Sequence, residues 1–338
     1  MILAPYTTLG LGGPARDFVE ARTAEELVSL VAEADGTKTP LLILGGGSNL
    51  VVADEGFDGR VVRVASRGVG VERDGDQVLV TVEAGEEWDP LVARAVAEGW
   101  SGIECLSGIP GLVGSTPIQN VGAYGQAVAE TIRSVRVYDR RTCQVLDLGA
   151  RQCGFAYRDS VFKQDLGRHV VLAVTYALDL ADRSGPVAYE ELARRLEVPL
   201  GERVPLAAAR EAVLGLRRGK GMVLDAGDPD TRSAGSFFMN PILPAGELEP
   251  RAPGHPRWEL PGGLEKVPAA WLIEQAGFAK GYSRGPVRIS TKHTLALTNP
   301  GGGSTADLLA LAREVRDGVA EKFGVTLVNE PVMVGCAL

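Results

Sequence analysis

Three consecutive glycines, Gly45, Gly46 and Gly47, close the apolar run LLIL (41–44) and lead into Ser48 and Asn49. A chain that leaves a strand through bare backbone turns sharply, and glycine alone has no Cβ to obstruct a close neighbour. Such a turn can aim several N–H groups at one diphosphate, with Ser48 and Asn49 adding side-chain donors. It can equally be a plain tight connection between strands. GxxxxGK[ST] and GxSxG are both absent, so neither a P-loop nor an α/β-hydrolase nucleophile turn is supported.

A second glycine-rich stretch, IPGLVGSTPIQNVGAYG (109–125), mixes turn formers, apolar residues and small polar donors. A loop of this length inside a domain is usually functional, the alternative being a long surface loop. The placing of Gly111, Gly114, Gly122 and Gly125 favours close backbone approach to a flat ligand. GLGGPA (10–15) imitates a dinucleotide fingerprint, but only nine residues precede it, one a proline. That leaves no room for the strand a Rossmann motif needs.

Glycine is the one marked excess, 43 of 338 residues. The length predicts two or three domains. The hydrophobic share of 45% and charged share of 23% are those of a globular protein. A net charge of −8 gives no general attraction to nucleic acid. Cys105, Cys143, Cys153 and Cys336 form no CxxC and the three histidines no HExxH, so no metal site is expected and the thiols read as reduced, in a cytoplasmic protein. MILAPYTTLGLGG lacks a basic leader region, and VVLAVTYALDL (170–180) is too short to span a bilayer.

Thr23 and Glu26 make a capping box for a helix over 23–34, and 41–44 reads as a buried strand. VVRVA (61–65) and QVLVTVEAG (77–85) read as two strands joined through DGDQ, and 87–98 as a helix stopped by Gly99. Strand patterns return at 134–139, 144–148 and 169–180, without long helices between them, which predicts a mostly antiparallel sheet. Residues 205–218 are an Arg-rich helix, 217–232 a polar loop and 246–263 an exposed Pro/Gly-rich excursion. Helices at 269–277 and 304–323 and a final strand at 325–335 complete an α+β order.

TTLGLGGPAR (7–16), LGGGSNLVV (44–52), the 109–125 loop, GFAYRDSVFK (154–163), SAGSFFMNP (233–241) and LVNEPVMVG (327–335) together resemble the UDP-N-acetylenolpyruvoylglucosamine reductase (UDP-N-acetylmuramate dehydrogenase) family. They occur in the family's order along the whole chain. The resemblance implies the FAD-binding fold of the vanillyl-alcohol oxidase and p-cresol methylhydroxylase type over about 14–182. It implies FAD-binding subdomains at 1–65 and 66–205, a substrate-binding domain at 206–325 and a C-terminal strand at 326–338. FAD contacts are expected from Gly45, Gly46, Gly47, Ser48, Asn49, Gly111, Gly114, Ser115, Gly122 and Ala123. The implied reaction reduces UDP-N-acetylglucosamine enolpyruvate with NADPH, in a cytoplasmic monomer making a peptidoglycan precursor.

That reaction develops negative charge beside a carboxylate and ends in protonation at carbon. Arg158 suits the first task, because a guanidinium fork matches a carboxylate and never loses its charge; on its residues alone it reads as a surface arginine paired with Asp159 or a nearby carboxylate. Ser236, beside Gly235 and two phenylalanines, suits the second, its bland alternative being a turn serine. Glu330 interrupts an apolar strand and is either an edge charge or a half-buried functional acid; the resemblance has it stabilise the enediolate. PVAYEEL (186–192) looks like a substrate-closing loop carrying Tyr189. Tyr189, Lys220 and Asn240 are substrate-binding candidates; the resemblance sets His293 near the ligand region, the alternative being a packed or exposed histidine. The rivals are an oxidase or dehydrogenase of the same fold acting on an alcohol, hydroxy acid or lactone, and a non-catalytic nucleotide-binding protein.

Overall fold

The structure is a computed structural model describing every residue from Met1 to Leu338. The chain divides into two compact units that do not follow sequence order. One comprises Arg16–Gly46 and Asp58–Arg218, the other Met1–Ala15, Gly47–Phe57 and Gly219–Leu338.

The unit that includes Asp58–Arg218 is built on an antiparallel sheet in the order Gln144–Gly149, Ile132–Asp139, His169–Leu180, Gln77–Glu83, Val69–Asp74, with Trp100–Ser101 paired to the end of His169–Leu180. In that long central strand Val170, Val171, Leu172, Ala173 and Val174 are buried in succession. An alternating pattern is replaced by a continuous apolar run because both faces are covered. Leu27 and Val31 of α1 (Ala24–Gly36) and Trp88, Leu91 and Val92 of α2 (Trp88–Ala97) join the same core. Each such side chain contributes about 1.5–3 kcal/mol when fully buried. A smaller sheet sets Leu41–Leu44 parallel to Phe57–Val64, with Ala15–Ala21 on the other side of Phe57–Val64. The short helices α3 (Val161–Gln164) and α4 (Glu190–Leu196) and the longer α5 (Leu206–Gly219) follow.

The other unit holds an antiparallel sheet in the order Ser233–Ser236, Ala296–Thr298, Val287–Ile289, Ser283–Arg284. α6 (Ala269–Gln275) and α7 (Thr305–Phe323) bury Leu272, Ile273, Leu308, Leu311, Val315 and Val319 in one core with Ile289 and Leu297. Ser304 and Asp307 close a reciprocal cap on α7, and Asp54 accepts the next two N–H groups, from Thr305 at 2.8 Å and Ala306 at 2.9 Å. Together they satisfy donors that a helix start otherwise leaves orphaned. Val332–Val334 pairs in parallel with Leu50–Val52, which draws two distant stretches of chain into one unit.

The structure departs from the sequence reading in several places. A third strand, Val69–Asp74, lies between the two expected at 61–84, and DGDQ joins it to Gln77–Glu83. It is polar and mostly exposed at a sheet edge, so alternation did not mark it. LLIL is a strand, but only Leu44 is fully buried. The 246–263 excursion contains the strand Trp258–Leu260, which forms a three-stranded sheet with the flanking Ile242–Pro244 and Leu264–Lys266. It encloses a buried His255–Glu265 pair, Nε2 to Oε1 at 2.9 Å. The final strand is short because Pro331 lacks a ladder donor; only Val332–Val334 remains regular. No helix is long and apolar enough to cross a membrane.

Candidate functional site

The two glycine-rich segments meet. A Cβ on Gly46 would lie 2.8 Å from the Cα of Gly111, and one on Gly45 would lie 2.8 Å from the Ser115 hydroxyl. Backbone therefore packs on backbone, an approach no other residue allows. Gly45 and Gly46 serve loop-to-loop contact.

The second loop is a rigid strap. Trp88 donates its N–H to Gly111 O at 3.1 Å, Val113 to Glu86 O at 2.8 Å, and Gly114 to Ala84 O at 2.9 Å. Further along, the Thr116 hydroxyl shares a buried hydrogen bond of 2.7 Å with the Tyr176 hydroxyl of the central strand. Asp89 of α2 accepts the Gly108 N–H at 2.6 Å and a two-pronged contact from Arg210 of α5 at 2.7 and 3.0 Å. Burial pushes the Asp89 carboxyl up, but the hydrogen bonds from Arg210 and Gly108 outweigh it and its pKa is lowered.

Arg158 sits at the tip of a tight turn, closed by the Ala156 and Asp159 backbones, with φ of 53°. Its Nη2 donates to Gly122 O at 2.8 Å and its Nη1 to Asn120 O at 3.4 Å. Asn120 returns a side-chain bond to Ala156 O at 2.9 Å, and Ser160 caps α3 while bonding Ile118 O. The YRDS turn and the 118–122 stretch thus lock one another, with the guanidinium beside the Gly122–Ala123 strand. Asp159 is engaged by the Ser160 N–H and the Gln164 amide.

Tyr189 precedes α4, and its ring meets that of Tyr124 edge to face at 5.5 Å. Burial pushes the Tyr124 hydroxyl up to about 12, opposed by the Arg217 charge. Arg217 of α5 is itself buried, and burial lowers it to about 10 against the pull of Tyr124 and Asp89. Tyr124, Arg217 and Asp89 were not singled out in the sequence. The Arg-rich face of 205–218 was the available signal, but arginine spacing alone does not show which charge is buried.

In the other unit Ser236 ends the Ser233–Ser236 strand opposite Ala296. Gly235 before it has φ of 72° and open space where a Cβ would be. Phe237 and Phe238 are buried, 5.1 Å apart, and belong to the core. Glu330, half-buried, donates its N–H to Phe237 O at 2.8 Å, and Phe238 pairs with Asn329. Two residues on, Val332 donates to Asn49 O at 2.9 Å. Ser236, Glu330 and the Ser48–Asn49 turn therefore lie along connected backbone. Gly47, with φ of 61°, packs against Tyr6 O.

The remaining candidates are more scattered. Lys220 is half-buried just after α5, next to Gly221, which packs on Asp230. Asn240 Oδ1 accepts the Ala269 N–H at 2.9 Å and so caps α6. His293 lies in the turn held by Ser290 Oγ.

The glycine turns are in backbone contact and strapped to an antiparallel sheet, with Val113 and Gly114 spending their N–H groups on the strap and no side chain standing between Gly46 and Gly111. A family model described as FAD binding domain matches residues 15–149, and the chain is an FAD-dependent oxidoreductase with an α+β fold of the vanillyl-alcohol oxidase type.

A second model, for the C-terminal domain of UDP-N-acetylenolpyruvoylglucosamine reductase, matches residues 228–334. The chain is 58% identical to the UDP-N-acetylenolpyruvoylglucosamine reductase of Thermobifida fusca, covering 99% of this chain and 97% of the relative. It is 56% identical to that of Saccharopolyspora erythraea, with 99% and 95% covered. The crystal structure of the Thermus caldophilus reductase superposes with a TM-score of 0.68 at 28% identity, covering 99% of this chain and 97% of that one. The chain belongs to the UDP-N-acetylenolpyruvoylglucosamine reductase family.

Proposed function

We propose that the chain reduces the enolpyruvyl ether of UDP-N-acetylglucosamine to UDP-N-acetylmuramate with NADPH, as a cytoplasmic monomer in peptidoglycan precursor synthesis. The observation that carries this reading is the pairing of the AGSFF and VNEP segments, which sets Ser236 and Glu330 on adjoining backbone. An oxidase of the same fold has no need of a hydroxyl and a carboxyl so arranged.

FAD, when bound, supplies the hydride carrier between NADPH and the substrate double bond. Gly45, Gly46, Gly111, Gly114, Ser115, Gly122 and Ala123, with Gly47, Ser48 and Asn49, are assigned to holding it. Arg158 is assigned to the substrate carboxylate. Its turn is braced against two loop carbonyls, so its orientation is set before substrate arrives, and preorganised charge is usually the largest catalytic term. Ser236 delivers the proton to the α-carbon; a serine hydroxyl is always protonated at working pH, and the carbanionic carbon is a strong enough base to take its proton. Glu330 stabilises the enediolate. Tyr189, Lys220 and Asn240 are assigned to the UDP-sugar, although the cap that Asn240 places on α6 makes its role the most structural of the three. The division of labour is read as FAD-binding subdomains 1–65 and 66–205, a substrate domain 206–325 and the strand 326–338.

The test is an anaerobic spectrum at about 450 nm. NADPH bleaches the flavin band, and UDP-N-acetylglucosamine enolpyruvate restores it. Restoration by oxygen alone, with no response to the sugar nucleotide, would contradict the assignment.

A further inference from the structure

Glu104 is wholly buried, yet its carboxylate has no side-chain cation among its hydrogen-bond donors. Oε2 accepts the Gly102 N–H at 2.7 Å. Oε1 accepts the Gly185 N–H at 2.8 Å and the Gln126 amide at 2.9 Å. Gln126 in turn accepts the Cys105 N–H at 2.8 Å through its own oxygen. A buried carboxylate is costly unless hydrogen-bonded, and here three neutral donors converge on it from three separate segments.

Two of those segments carry candidate ligand contacts. Gln126 belongs to the hairpin of Gly122–Ala123 and Gln126–Ala127. Gly185 opens the stretch that leads to Tyr189. Beyond the carboxylate the two run against each other: a Cβ on Gly125 would lie 3.0 Å from the Ala188 Cβ, and the Tyr124 and Tyr189 rings touch edge to face. Tyr189 is 41% exposed, so its ring is offered outward from a fixed base.

We infer that Glu104 is a positioning residue that fixes the Tyr189 segment to the 122–127 hairpin and so presets Tyr189 for the sugar nucleotide. The inference rests on the assignment of Tyr189 to that ligand. Only an acceptor-only group suits the position. An amide in its place would set an NH2 against one of the three N–H donors, with little change of shape.

The experiment compares Glu104→Gln, Tyr189→Ala and the double variant in the FAD-loaded enzyme, measuring KM for UDP-N-acetylglucosamine enolpyruvate, kcat, flavin content and the rate of reduction by NADPH. Glu104→Gln is expected to raise KM about tenfold, the worth of one hydrogen bond to a charged group. Its kcat, flavin content and reduction rate stay within about twofold. In the Tyr189→Ala background the same change moves KM by less than about twofold, because two residues acting through one contact are not additive. Equal KM increases in both backgrounds, or a loss of flavin with KM unchanged, would overturn the positioning role. A Tyr189→Ala enzyme with parental KM would instead overturn the assignment of Tyr189, a result read before Glu104 is altered. Should Glu104→Gln fail to fold, Gln126→Met cuts the same link from the hairpin side, and the same coupling to Tyr189 is expected of it.

Discussion

Glu330 donates its backbone N–H to the carbonyl of Phe237 at 2.8 Å, one residue beyond Ser236. The proposed proton donor and the proposed acid are thereby registered by main chain. The strand that carries Glu330 continues to Val332, whose N–H reaches Asn49 O. Displacing any one of these segments disturbs the others.

Ser236→Ala removes the proposed proton donor and leaves the backbone pairing in place. Bleaching of the flavin by NADPH is expected at the parental rate, and its return on adding substrate is expected to slow by roughly 10²–10⁴. Stopped-flow absorbance separates the two steps. An equal loss in both would remove Ser236 from the mechanism.

Gly46→Ala places a methyl 2.8 Å from the Gly111 Cα, where only backbone can yield. Overpacking of this kind costs about 1–3 kcal/mol. The expected outcome is a lower Tm and partial loss of flavin on gel filtration. Gly36→Ala, where nothing lies within 4 Å of the new methyl, is the matching control and retains flavin.

Thr116→Val strands the buried Tyr176 hydroxyl, whose partner lies at 2.7 Å in the parent. Leaving a buried polar group unsatisfied costs about 1–3 kcal/mol. Tyr176→Phe in the same chain removes the orphan and is expected to recover part of that loss. Urea unfolding of the single and double variants measures the coupling; additive effects would show that the bond does not anchor the loop.

Asp139 titrates far below an ordinary carboxyl, held at about 2 by hydrogen bonds from Arg168, with burial opposing and the Arg141 N–H assisting. A folded-state pKa below the unfolded value adds stability that is full above the unfolded pKa of about 4 and fades as pH falls toward 2. Asp139→Asn is therefore expected to lower stability by about 1–3 kcal/mol at pH 7 and by progressively less between pH 4 and pH 2. A constant difference across that window in denaturant midpoints would refute the linkage.

Helices were the most legible part of the chain, because their ends carry local chemistry. Thr23 accepts the Glu26 N–H at 3.1 Å, while Glu26 reaches back to the Arg22 N–H at 2.7 Å, one residue before the cap. Val69–Asp74 was hidden because an exposed edge strand has no apolar face to reveal it. Of the candidate residues, the glycine turns and the Arg158, Ser236 and Glu330 segments were visible as motifs. What braces them was not. Tyr176 and Thr116 are 60 positions apart, and Glu104 and Gly185 are 81 apart. Pairings at such separations have no period or spacing in a sequence. They exist only once the sheet has brought the segments side by side.

The parallel pairing of Val332–Val334 with Leu50–Val52 has a consequence for biosynthesis. A ribosome releases residues 50–52 long before their strand partner is made. That short ladder stays open through nearly the whole of translation, while all the residues of the other unit's sheet have emerged by Leu180. The nascent chain thus has every residue of one unit once Arg218 is made, and carries the first residues of the other as an unfinished edge until synthesis reaches Val334.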